Sequence, residues 1–284
     1  MRIFLTGGTG FIGSNFIEHA LLEGHEIYAL ARKGSSPKIQ LSREPFWIFG
    51  DLSKDVSEYL SKSDSLVHLA AHGVYNGGAN SNWEESIKWN IVSTLNLFES
   101  AYKSGIKNYL VTGSCFEYGK SAEKYNKIPA DASLEPLSAY ASTKAAASIL
   151  LKAWAVEKNV KLNLMRLFHV YGEGEANYRL WASLRKAALE NKDFEMTKGE
   201  QIRDFINVKE VSKILLNGIC DNSLEIGNPT TTNVGTGKAT SVLSFCKKWW
   251  GTFKSKSNLK SGAIPYRDNE IMRYVPDINS KKFF

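Results

Sequence analysis

Arg2-Ile3-Phe4-Leu5-Thr6-Gly7-Gly8-Thr9-Gly10-Phe11-Ile12-Gly13 decides how the rest of the chain is read. Arg2 to Thr6 is an apolar strand, and Ser14 to Glu23 carries a helical pattern. Strand, glycine turn and helix in that order are the context a dinucleotide fingerprint requires. Gly7 permits the tight turn, Gly10 lets the backbone approach a pyrophosphate, and Gly13 allows the helix to pack closely on the sheet. The phosphates would sit at the helix N-terminus, on free N–H groups and the positive end of the dipole. Gly7, Gly10, Phe11, Ile12 and Gly13 are therefore candidate cofactor contacts. The spacing is G-x-x-G-x-x-G rather than G-x-G-x-x-G, and a glycine-rich turn without a ligand is the competing reading.

The flanking stretches extend the pattern. His25 to Ala31 reads as the second strand. An acid at its end would hold the ribose 2′-OH of NAD, but Arg32-Lys33 stands there. An Arg at this place can pair with a 2′-phosphate, which favours NADP over NAD; a solvated strand exit is the alternative. Phe46 to Gly50 is a short third strand followed by Asp51-Leu52, where Asp51 either meets an adenine amino group or caps the next helix. Ser65 to Ala71 is a buried-type strand whose end, Leu69-Ala70-Ala71, is small enough for a cofactor to lie across. His72 to Asn82 reads as a loop, Glu84 to Lys103 as an amphipathic helix with Asn90 as a buried polar anchor, and Asn108 to Thr112 as a strand. Ser114 then falls at a strand's carboxyl end, where ligands of open α/β sheets bind.

Tyr140-Ala141-Ser142-Thr143-Lys144 supplies the chemistry. On a helix, residues four apart lie one turn apart on one face. An ammonium beside a phenol favours the phenolate, so Lys144 should lower the Tyr140 pKa from its reference of about 10. Such a phenol can exchange a proton with a substrate oxygen. A core-facing Tyr with a solvated Lys is the bland reading of the same spacing. Further on, Lys161 to Leu167 is a strand, Asn177 to Leu189 and Val211 to Ile219 are helices, Leu224 to Gly227 is a short strand, and Gly235 to Trp249 is a turn and helix.

Composition narrows the class. The 284 residues are 43% hydrophobic and 23% charged, as in a soluble globular protein, and no apolar run approaches a membrane span. The first residues read as a strand rather than a signal peptide. Cys115, Cys220 and Cys246 form neither a metal-ligand spacing nor a disulfide framework, which suits a reducing cytoplasm. The +7 formal charge is spread along the chain without a nucleic-acid-binding module, and an anionic small substrate accounts for it equally well.

Taken together, Gly7/Gly10/Gly13, Asp51-Leu52, His68-Leu69-Ala70-Ala71, Ser114, Tyr140/Lys144, Arg166 with Tyr171-Gly172, and Arg203-Asp204-Phe205-Ile206 resemble the extended short-chain dehydrogenase/reductase family acting on nucleotide sugars, the NAD-dependent epimerase/dehydratase family. The resemblance implies a doubly wound parallel Rossmann sheet over residues 1–170, with 208–228 returning to it. It also implies a smaller, discontinuous substrate lobe from 172–207 and 229–284. Ser114, Tyr140 and Lys144 would be catalytic, and Phe168 would join the cofactor contacts. His169, Asn177, Arg179, Arg203 and Arg267 would meet the substrate, the two last as clamps on its pyrophosphate. His169 stands where the family has Asn, and a satisfied interior His is its other reading. Stretches 199–205 and 262–272 look most like an NADPH-dependent 4-ketoreductase of CDP-linked deoxysugars. Cys115 and Phe116 stand where the dehydratases have an acid pair, so the acid–base groups that elimination needs are absent from those positions, which argues against a dehydratase. A C4 epimerase holding NAD and a non-catalytic NADP sensor are the alternatives. The resemblance also implies a homodimer, and relatives that continue past the position of Phe284.

Overall fold

The computed structural model describes residues 1–74 and 82–279, and the backbone of a last short strand at Lys282–Phe283. Part of the expected loop at 72–82, residues 75–81, lies outside the described residues. The first half alternates strands and helices: β1 (Arg2–Thr6), α1 (Phe11–Leu22), β2 (Glu26–Ala31), β3 (Phe46–Phe49), α2 (Ser57–Leu60), β4 (Ser65–His68), α3 (Trp83–Ile87), α4 (Ser93–Lys103), β5 (Asn108–Ser114), α5 (Ala139–Glu157) and β6 (Lys161–Leu167). There follow β7 (His169–Tyr171), α6 (Leu180–Leu189), β8 (Phe194–Met196), β9 (Ile202–Arg203), β10 (Phe205–Asn207), α7 (Val208–Ile219), β11 (Thr230–Val234), β12 (Thr240–Ser241), α8 (Val242–Thr252), β13 (Leu259–Ser261), β14 (Arg273–Tyr274) and β15 (Lys282–Phe283).

The main sheet has the order β15-β11-β6-β5-β4-β1-β2-β3. All of its pairings are parallel except β15 on β11. The doubly wound Rossmann sheet expected from the sequence is thus present. Its order reverses between β1 and β4, which opens a crevice at their carboxyl ends.

Strand alternation builds the two faces. Ile3 and Leu5 point to a layer formed by Phe16 and Ile17 of α1 and Val211, Leu215 and Ile219 of α7. Phe4, with Leu66 and Tyr109, points the other way, to Leu97 and Phe98 of α4 and Leu151 and Trp154 of α5. Both faces of a parallel sheet are covered, so its strands read as near-continuous apolar runs. A separate cluster of Leu184, Ala188, Met196, Cys246 and Trp250 holds α6, α8, β8 and β13 together.

Several boundaries differ from the sequence reading. The strand expected at Leu224–Gly227 is a turn region, and Thr230–Val234 is the strand instead. It pairs with β6, so residues 230–234, expected in the smaller lobe, lie in the main sheet. Ser65–Ala71 stops being strand at His68 because the next residues turn to meet the glycine loop. The helix expected over Glu84–Lys103 is interrupted by a π-helical turn, Lys88–Val92, centred on Asn90. The helix before Leu189 begins at Leu180, not Asn177, and the next begins at Val208 under the Asn207 cap.

Gly13 tests the packing argument. A Cβ there would lie 2.1 Å from the Gly7 carbonyl oxygen, which is backbone and cannot move aside. Gly13→Ala should cost about 1–3 kcal/mol of stability and weaken dinucleotide binding; a melting temperature equal to that of the parent chain would contradict this.

Candidate active site

The cofactor cradle follows from the glycine turn. Gly7 has φ 76°, and a Cβ on it would meet the Ala70 N at 2.7 Å and the Leu69 C at 2.8 Å. The turn after β1 therefore touches the backbone that follows β4. The Gly10 N–H donates to the Gly7 carbonyl at 2.9 Å, and Gly10 is the N-cap of α1 with no side-chain cap and no acid in the first turn. That helix end keeps its N–H groups and positive dipole for an anion. Phe11 and Ile12 are partly buried against the core layer beside it. These residues fit a dinucleotide pyrophosphate. Leu69 and Ala70 are half-buried and Ala71 is exposed at the same crevice edge.

Arg32 is exposed directly after β2. Its carbonyl accepts the Ser35 N–H and hydroxyl, which turn the chain away from the strand. The Asp51 carboxylate, exposed after β3, accepts the Ser53 N–H at 2.8 Å in a local turn and does not cap the next helix, α2, whose N-cap is Val56; the Ser53 donors hold its pKa below the ordinary value. Leu52 packs against the core. Phe168 is 4% exposed and packs on Tyr118, so its ring belongs to the core.

The catalytic candidates come together. Ser114 ends β5, and Ser138 caps α5, which carries Tyr140 in its first turn. The Ser114 hydroxyl lies near enough to the Tyr140 phenol to favour its ionised form. Lys144 lies one turn on and is 5% exposed. The expected lowering of the Tyr140 pKa by Lys144 is not what the structure shows. Burial pushes the phenol up, and the Ser114 hydroxyl and the Arg179 charge oppose it only in part. Burial pushes Lys144 down, opposed by Glu117. The reason is desolvation, which outweighs a neighbouring charge when both groups are out of water.

The support of this set is polar and buried. Glu117 accepts the Ser114 N–H at 2.7 Å, the Ser148 hydroxyl at 2.8 Å and the Arg166 Nε at 2.8 Å. Asn90 accepts the His72 N–H at 2.8 Å and donates to the His72 carbonyl and the Thr143 hydroxyl, both at 3.0 Å. That links the end of β4 to the helix of Tyr140, through a π-helical turn of the kind found at functional sites. His68 shares hydrogen bonds with Thr6 and Thr94, and burial, then the Lys144 charge, pushes it down to about 3.

On the far side, His169 packs against Phe116, Phe205 and Tyr274. Its Nδ1 is buried without a hydrogen-bond partner among the described residues, so the satisfied interior histidine is not what the structure shows. Burial, then Arg203 and Arg179, keeps it neutral. Arg203 is 7% exposed and is engaged already, with Glu270 at 2.6 Å and the Tyr274 ring at 5.4 Å. Asn177 and Arg267 are exposed. Arg179 pairs with Glu175 at 3.5 Å.

Sequence reasoning missed Glu117, Glu175 and Glu270. Glu117 sits in the Ser114 stretch, and a buried acid three residues after a strand-end Ser is a capping-box signal that could have marked it. Glu175 is lifted by burial to about 7, with Arg179 opposing. No local pattern distinguishes Glu175 or Glu270.

These features place the chain in a known class. The model of the NAD dependent epimerase/dehydratase family matches residues 3–235, and the chain belongs to that family. It is 28% identical to CDP-abequose synthase of Salmonella typhimurium, over 99% of this chain and 91% of that protein. It is 25% identical to dTDP-6-deoxy-L-talose 4-dehydrogenase (NAD(+)) of Aggregatibacter actinomycetemcomitans, over 96% and 98%. The fold superposes on UDP-N-acetylglucosamine 4-epimerase from Methanobrevibacter ruminantium M1, in complex with UDP-N-acetylmuramic acid, with a TM-score of 0.86 at 23% identity, covering 98% of this chain and 89% of that one. Among the described residues, no helix is long and apolar enough to cross a membrane.

Arg32 distinguishes the two dinucleotides. If its guanidinium meets a 2′-phosphate, Arg32→Ala should weaken NADPH binding by about 1.5 kcal/mol or more, roughly tenfold, and leave NADH binding nearly unchanged. Fluorescence titration with both cofactors reads this directly; equal losses would remove Arg32 from the 2′-phosphate site.

Proposed function

We propose that this protein reduces the 4-keto group of a nucleotide-activated deoxysugar, CDP- or dTDP-linked, with NADPH, in the making of sugars for polysaccharides. The observation that carries the reading is that Ser114, buried at a strand's carboxyl end, and the partly buried Tyr140 lie side by side, with the buried Lys144 one turn away. The cofactor, when bound, supplies the hydride. The protein's own residues do the rest. Gly7, Gly10, Gly13 and the end of α1 hold the pyrophosphate, and Arg32 accounts for a phosphorylated ribose. Ser114 donates to the substrate carbonyl as negative charge develops on its oxygen. Tyr140 gives that oxygen its proton; a phenol that burial keeps protonated is suited to act as the acid. The Lys144 ammonium stabilises the phenolate left behind until solvent returns the proton.

Two observations support the deoxysugar. Phe116, two residues after Ser114, remains 38% exposed and packs edge-on to His169 and Tyr274. It presents an apolar wall beside the reacting pair, against which a sugar hydroxyl would lose its water. The likeness to CDP-abequose synthase and to a 6-deoxy-talose dehydrogenase points the same way. We further propose a substrate lobe of 172–207 and 235–279 whose Arg203 and Arg267 clamp the nucleotide diphosphate and whose Arg179 meets the substrate, a cytoplasmic location, and a homodimer. Trp83, Ile87, Ile149 and Val156, exposed on α3 and α5, offer that dimer an apolar face.

A C4 epimerase is the second reading, favoured by the likeness to a 4-epimerase and by a site whose proton donor would serve both reactions. It would retain NAD and consume no cofactor overall. A nucleotide-linked 4-keto-deoxysugar should instead produce stoichiometric loss of NADPH absorbance and a single C4 product. Product formed without NADPH loss, from a sugar already carrying a C4 hydroxyl, would establish the epimerase. Tyr140→Phe removes the proton donor and should lower turnover by about 10² to 10⁴ while leaving NADPH binding intact; activity within threefold of the parent enzyme would dismiss Tyr140 as the acid.

A further inference from the structure

We infer that Glu117 is a positioning residue of the active site: its buried carboxylate holds Ser114 in register with helix α5 and is the counter-charge against which Lys144 and Arg166 are assembled. The inference deepens the reading of the site given above and rests on it.

The geometry is specific. Glu117 is fully buried, and its two oxygens reach three elements. Oε1 accepts the Ser114 N–H at 2.7 Å, at the end of β5. Oε2 accepts the Ser148 hydroxyl of α5 and the Arg166 Nε of β6, both at 2.8 Å. Ser148 lies one turn beyond Lys144 and two beyond Tyr140, so the carboxylate grips the helix on the face that carries both. The chain makes room for it at Gly113, where a Cβ would lie 2.5 Å from Oε1 and 2.9 Å from the Arg166 Cγ. A strand-end Ser that must meet a helix-borne Tyr thus has its backbone tied to that helix through one side chain.

The electrostatics follow from the same placement. Arg166 is already satisfied by Glu117, the Tyr118 hydroxyl and the Ala130 carbonyl. Among the described residues Lys144 is not paired in this way, and Glu117 is the anion that supports its charge against burial. The same negative charge makes the Tyr140 phenolate harder to form. The other titratable groups around the set include Cys115 and Tyr118 on the turn of Glu117, Lys152 on α5, His68 on β4, His169, and Arg179 and Arg203 with their partners Glu175 and Glu270. Glu175 and Glu270 are taken up by those arginines, and Glu117 is the carboxylate that acts on both Tyr140 and Lys144.

The sign of the effect is therefore fixed. Removing the Glu117 charge lowers both the Tyr140 and Lys144 pKa values. Reduction requires a protonated Tyr140, so the alkaline fall of kcat must move to lower pH. The test compares kcat–pH profiles and KM for NADPH in the parent enzyme, Glu117→Gln, Glu117→Asp and Ser148→Ala. Glu117→Gln should lower kcat about tenfold to a hundredfold, as misplacement of a reacting group does, keep KM for NADPH within about twofold, and shift the alkaline limb to lower pH. Ser148→Ala keeps the charge and loses one contact, so its limb should stay in place. Glu117→Asp keeps the charge on a shorter arm, so it should lower kcat about tenfold without moving the limb, and it decides the matter if Glu117→Gln does not fold. Parent-like kcat in Glu117→Gln or Glu117→Asp, or a limb that moves as far in Ser148→Ala, overturns the inference. A parent enzyme inactive on 4-keto sugars is a separate failure, that of the reduction reading. The same profiles are then taken in the direction of C4-hydroxyl oxidation with NAD⁺, where Tyr140 must be ionised and Glu117→Gln must move the acidic limb to lower pH.

Discussion

A carboxylate held entirely away from water is costly unless it is paired and hydrogen-bonded, and the buried Glu117, paired with Arg166, meets that with three donors from two strands and a helix. Glu117 takes donors from β5, α5 and β6. Arg166 passes the network to the Tyr118 hydroxyl, which donates to the Asn233 Oδ1 on β11 at 2.7 Å, while the Asn233 amide donates to the Ile128 carbonyl. The order of the main sheet places β5, β6 and β11 side by side, so one continuous polar chain runs beneath the active site. Loss of Glu117 or Arg166 alone would leave a buried charge uncompensated, typically a cost of about 3–5 kcal/mol. The register of Ser114 against Tyr140 depends on this chain more than on the hydrophobic packing around it, since apolar contacts are not directional.

The cofactor half is governed by close backbone approach instead. Gly7, Gly13 and the segment after β4 meet at distances that no side chain could share. The segment after β2 then returns over α1: the Lys38 N–H donates to the Ser14 hydroxyl, and the Ser42 N–H to the Glu18 carboxylate. The Asn15 amide donates to the Glu173 carbonyl, and Gly174 lies against Lys38 and Ile39. The first turn of α1 is thereby tied to the loop that leads to Arg179, which joins the cofactor crevice to the substrate side.

The side proposed to meet the substrate is aromatic and basic. Phe205 stacks on Phe245 at 3.8 Å, and Tyr171, Trp181 and Trp249 pack edge-on around them. Arg203, resting on Tyr274 and paired with Glu270, enters this wall already oriented. A guanidinium fixed in this way loses little freedom on meeting a diphosphate, at the expense of giving up or sharing its Glu270 partner.

The sequence by itself determined what is local. The glycine spacing after β1, the small residues after β4, the strand-end Ser114 and the four-residue separation of Tyr140 and Lys144 all express backbone geometry over a few residues, and the structure places each on the expected turn, strand end or helix. Strand boundaries near 224–234 were not legible, because Thr230-Thr231-Thr232-Asn233-Val234 is polar by composition and becomes strand through pairing with β6. Only the tertiary structure decided which charges meet. Arg166 and Glu117 are 49 residues apart, and Arg203 and Glu270 are 67 apart. The pKa of Tyr140 was misjudged from sequence for the same reason: spacing shows that a Lys is near, while the balance between that charge and desolvation is set by how completely the folded chain excludes water.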